Sequence, residues 1–107
     1  MRMRSAGIFF IAVALVAMES ANAQDIKAGA KIAQTWCSNC HQVDYQQLKS
    51  GSDAVPSFPS IAQMKSTTAA SLAAFLITSH ARMPDYTLSR AEIKDVSAYI
   101  LSLRKAP

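Results

Sequence analysis

The sequence predicts a small all-α domain with three main helices. Three observations lead there: apolar residues recur at helical spacing in three segments, good N-cap residues precede them, and no segment shows a strand's two-residue alternation. The chain has 107 residues, which suits a single domain.

The first stretch is expected to be a leader rather than part of the fold. Arg2 and Arg4 form a positive start, Gly7 to Met18 is an uncharged apolar run, and Ala21-Asn22-Ala23 is a small-x-small cleavage signature. The run falls short of the roughly 20 apolar residues of a spanning helix. The sequence therefore predicts residues 1–23 as a cleaved secretory signal peptide and residues 24–107 as the functional domain; the alternative is an uncleaved N-terminal anchor. No stable membrane insertion is expected after cleavage.

The first helix is predicted from Asp25, a good N-cap, to Trp36, with Ile26, Ala30, Ala33 and Trp36 at helical spacing. Residues 42–66 carry Gly51, Ser52, Asp53, Pro56, Ser57, Pro59 and Ser60, and read as a loop with at most short turns. The second helix is predicted to start near Ser66–Thr68, to carry Leu72, Phe75 and Leu76 on one face, and to end around Ser79. The third starts at Ser89, whose partner Glu92 three residues on makes a capping box; Leu88 and Ile93 suit a hydrophobic staple. Ile93, Val96, Ile100 and Leu103 then form its buried stripe.

Without the leader, 84 residues remain, with nine Lys/Arg and six Asp/Glu, a formal +3. The basic residues are scattered, which argues against a nucleic-acid partner. A core of this size has little stability to spare and calls for a staple. The only cysteines, Cys37 and Cys40, are too close together to close a useful loop, so they must hold something other than each other.

Trp36-Cys37-Ser38-Asn39-Cys40-His41 contains C-x-x-C-H, the attachment signature of c-type haem. Cysteines three apart share one face of a helical turn, so both thiols can add to the two haem vinyl groups. His41 then lies under the iron as proximal ligand. A thioredoxin-like redox pair would need a βαβ pattern, which is missing. A zinc site would need two further ligands, and the only other histidine is His80.

With these residues in view, the sequence resembles class I cytochrome c from Asp25 to Leu103. The matching features are Cys37 to His41 after a first helix, Pro56 in a loop, Met83-Pro84, and Tyr99 near the end of the last helix. Ala28-Gly29-Ala30 matches the family's close crossing of first and last helices. The resemblance implies a cytochrome c fold with loops wrapped around one covalently bound haem c, held by two thioethers. It also implies Met83 as distal ligand; from the residues alone, Met83 sits in an irregular stretch that Pro84 biases to extended backbone. Met64, before the second helix, reads as a core filler.

His80 reads as a loop histidine near the haem edge, with a rival role as distal ligand. Pro56 is either a rigid turn residue or, as the resemblance implies, the carbonyl acceptor for the proximal histidine. Trp36, Phe58, Phe75, Leu76 and Tyr99 are expected around the porphyrin or in ordinary core. Arg82 is a solvated arginine or a propionate partner.

An iron held by His41 and Met83 has no open position, so the expected function is a periplasmic one-electron carrier with no catalytic residues. Its partners would be redox proteins, met as a monomer in transient complexes. Lys27, Lys31, Lys49, Lys65 and Arg82 are candidates for steering an acidic partner. Two alternatives are a haem-bearing subunit of a larger oxidoreductase complex and a haem sensor or enzyme with a displaceable distal ligand.

Overall fold

The computed structural model describes residues 25–46, 55–78, 80 and 83–105. The predicted leader, Lys49, Gly51 to Asp53, Ser79 and Arg82 lie outside the described residues. Among them are four α-helices: α1 (Ile26–Thr35), α2 (Phe58–Gln63), α3 (Ala69–Ile77) and α4 (Arg90–Ser102). A 3₁₀ turn, Cys37–Asn39, follows α1. No described residue belongs to a strand; an isolated bridge pairs His80 with Met83. No helix among these residues is long and apolar enough to cross a membrane.

The Asp25 side chain accepts from the Ala28 N–H and caps α1. The helix ends one residue earlier than predicted, because Trp36 turns its N–H to the carbonyls of Ala33 and Ile32 and leads into the 3₁₀ turn. Capping boxes start both α3 and α4. Thr68 and Ser71 start α3, and Ser89 and Glu92 start α4 as the sequence predicts.

Helix α2 lies inside the segment predicted to be a loop. Ser57 accepts from the Ser60 N–H at 3.1 Å, and Pro59 occupies the first turn, where its missing N–H costs nothing. Ser57, Pro59 and Ser60, which read as loop punctuation, are thus a helix start. Burial of Phe58, Pro59 and Ala62 holds this short element in place. Met64 corrects a second expectation: it is 54% exposed, sits just past α2, and fills no core.

Helix α1 packs on α4 at Gly29. A Cβ there would overlap the Asp95 carbonyl and lie 2.9 Å from Tyr99 Cβ, so only glycine permits the crossing. Ala33, Val43, Phe58, Ala62, Leu72, Val96, Tyr99 and Ile100 form the core. Arg104, just beyond α4, donates to the carbonyls of Ala62 at 2.8 Å and Thr67 at 2.6 Å. It thereby satisfies an end carbonyl of α2 and fixes the α2–α3 connection to the last helix.

Candidate cofactor site

The helices leave between them a mainly apolar cavity with an open mouth. Cys37, His41, Met83 and His80 all line it. Cys40 is exposed and does not line the cavity, but it lies on the same turn: its N–H and that of His41 both donate to the Cys37 carbonyl, at 3.1 and 2.8 Å. Neither thiol is in a disulfide. Burial pushes the Cys37 thiol up to about 11, so it stays protonated at neutral pH.

His41 Nδ1 lies 2.6 Å from the Pro56 carbonyl. A carbonyl can only accept, so Nδ1 carries the ring proton and Nε2 keeps its lone pair for a metal. Of the two readings of Pro56, the structure favours the acceptor. The Phe58 N–H donates to the Gln42 carbonyl at 2.8 Å, and the Phe58 ring lies 5.2 Å from that of His41. Two hydrogen bonds therefore latch the segment after the cysteines to the start of α2, and set the imidazole against a buried aromatic.

The described residues between α3 and α4 also line the cavity. His80 Nδ1 lies 2.7 Å from the Thr78 carbonyl, and its ring stacks on Phe75 with centroids 3.7 Å apart. The Met83 N–H donates to the His80 carbonyl at 3.2 Å. Further on, Asp85 accepts from the Thr87 N–H at 2.9 Å. This bond holds Thr87 at φ 50°, a left-handed conformation that β-branched residues adopt only under constraint. Trp36 and Tyr86, with ring centroids 5.2 Å apart, are half-exposed lining residues from opposite ends of the chain.

Of the residues expected around the porphyrin or in ordinary core, Trp36, Phe58, Phe75 and Leu76 line the cavity, and Tyr99 belongs to the core alone. Tyr99 packs at the α1–α4 crossing and donates to the Val43 carbonyl at 2.6 Å. The sequence reading missed Ile32, Ile61, Tyr86 and Thr87 as lining residues. A helical stripe could have marked Ile32 as inward-facing, but nothing local marked the other three. Lys27, Lys31 and Lys65 are exposed.

The donor set fits haem. Two free thiols share one turn, an imidazole offers Nε2, a thioether lines the same cavity, and the lining is mainly apolar. No three His, Cys, Asp or Glu side chains among the described residues gather as a metal cluster, which disfavours a zinc tetrad.

Comparison with known proteins points the same way. Residues 24–100 match the family described as cytochrome c oxidase, cbb3-type, subunit III. The chain is also similar to a cytochrome c-552 of Bradyrhizobium diazoefficiens. The two are 39% identical over 104 residues, covering 97% of this chain and 99% of that protein. No solved structure matches the chain.

Proposed function

We propose, because the chain belongs to the mono-haem cytochrome c family, that it is a one-electron shuttle of the periplasm with His41 and Met83 as axial ligands. Family membership makes it a haem-based electron carrier rather than an enzyme, working with redox protein partners. The proposal adds the residues, the number of haems and the compartment. The observation that carries it is the hydrogen bond from His41 Nδ1 to the Pro56 carbonyl, which leaves Nε2 as a ligand facing an apolar cavity.

When bound, the haem supplies a one-electron Fe(III)/Fe(II) couple. Cys37 and Cys40 would hold it through two thioethers. The Pro56 carbonyl fixes the His41 ring and raises its basicity as the proximal ligand. Met83 supplies a soft sulfur that favours the reduced state and raises the potential. Ile32, Phe58, Leu72 and Val96 exclude water from the cavity wall and act in the same direction. With His41 and Met83 both as ligands, the iron would have no position left for a substrate.

Export rests on the leader-like residues 1–23, and the family match beginning at residue 24 supports it. Exposed Lys27, Lys31 and Lys65 would attract an acidic partner. The matching family, subunit III of a cbb3-type oxidase, favours a second reading, a haem subunit of a larger oxidase complex. Gel filtration of the native protein separates a free carrier from a subunit.

The test is a potentiometric titration of the matured protein. One reversible one-electron transition is expected, with a far-red sulfur-to-iron band in the ferric state. Met83→Leu should lose that band and lower the potential. A band that survives in Met83→Leu, or rapid carbon monoxide binding by the reduced wild type, would overturn the ligand assignment.

A further inference from the structure

His80 repeats the arrangement of His41. Its Nδ1 is also within hydrogen-bond distance of a backbone carbonyl, that of Thr78 at 2.7 Å, so by the same donor logic Nε2 carries the lone pair. The Phe75 ring, stacked at 3.7 Å and 27°, fixes the plane of the imidazole. The Met83 N–H donates to the His80 carbonyl at 3.2 Å, and both residues line the cavity that His41 lines. A histidine that only filled space would need neither the cavity-facing position nor a fixed tautomer.

We propose that His80 is a reserve distal ligand: when the Met83 thioether leaves the iron, His80 Nε2 takes the vacated position. This rests on the His41/Met83 assignment above. The Fe–S bond breaks and an Fe–N bond forms. No electron is transferred, and no proton must leave, because the Thr78 carbonyl already holds the ring proton on Nδ1. The chain would then stay six-coordinate after losing its methionine, with a lower potential and still closed to small ligands.

The experiment compares four matured holoproteins: wild type, Met83→Ala, His80→Ala and the double variant. Ferric spin state is read by electron paramagnetic resonance, carbon monoxide binding is measured on the reduced forms, and far-ultraviolet circular dichroism checks the fold. Wild type and His80→Ala should both show the far-red sulfur band. Met83→Ala should lose it yet remain low-spin. The double variant should become high-spin and bind carbon monoxide at least about tenfold faster than Met83→Ala, as expected if His80 fills the position nine-tenths of the time.

A high-spin Met83→Ala that binds carbon monoxide rapidly would overturn the reserve role while leaving the His41/Met83 assignment intact. So would a double variant that stays low-spin. If the wild type lacked the sulfur band and only His80→Ala changed its spectrum, the ligand assignment itself would fall.

Discussion

Substituting Gly29 by alanine sets two effects against each other. Gly29 lies within α1, where alanine is preferred over glycine by about 1 kcal/mol. Against this, the new Cβ would overlap the Asp95 carbonyl and lie 2.9 Å from Tyr99 Cβ. The obstructing atoms are α4 backbone, which has no rotamer to move away, so the helices must separate. Overpacking of this kind costs about 1–3 kcal/mol. Separation also loosens the hydrogen bond that ties the start of α1 to α4, from the Asp25 N–H to Asp95 Oδ1 at 2.8 Å. It contributes about 0.5–1.5 kcal/mol.

The penalty exceeds the propensity gain, and Gly29→Ala should lose about 2 kcal/mol. For a domain of this size that lowers Tm by roughly 10 °C, measured on the matured protein by far-ultraviolet circular dichroism. Gln34→Ala, on the exposed face of α1, should leave Tm nearly unchanged. An unchanged or raised Tm in Gly29→Ala would refute the close crossing, since propensity alone would then decide the outcome.

Three further outcomes are expected. Tyr99→Phe removes a buried 2.6 Å hydrogen bond and should cost about 1 kcal/mol at neutral pH in chemical denaturation. Burial, and then the charge of Asp44, hold the Tyr99 hydroxyl above the usual tyrosine value of 10. The folded state therefore keeps a proton that the unfolded chain releases. Stability should fall as pH rises through 10, with a shallower slope in Tyr99→Phe. Arg104→Ala frees the carbonyls of Ala62 and Thr67 and should lower stability by about 1–2 kcal/mol without altering the haem spectrum. A Cys37→Ala, Cys40→Ala chain, unable to hold haem, should be largely disordered; a cooperative thermal transition in it would show that the peptide core suffices.

What was legible in the sequence was local. Ser89 and Glu92 mark the start of α4 because a capping box is made within four residues. C-x-x-C-H marks the attachment turn for the same reason. Helix α2 was hidden because six residues are too few to show a period, and its stability comes from burying Phe58 and Ala62 against distant elements. Tyr99 read as either a porphyrin neighbour or ordinary core, and it is core: it lies one turn from Asp95 on the face that meets Gly29, while Val96 and Ile100 line the cavity. Sequence spacing shows that a stripe is buried but not what covers it. Pro56 could be assigned only once the fold brought its carbonyl to a histidine 15 residues away.

The most direct test is to export the protein from a host that matures c-type cytochromes and measure its intact mass and its pyridine haemochrome absorbance together. The account predicts one haem per chain, and a mass equal to the peptide from Gln24 plus one haem. A colourless product with the mass of the polypeptide alone would contradict it.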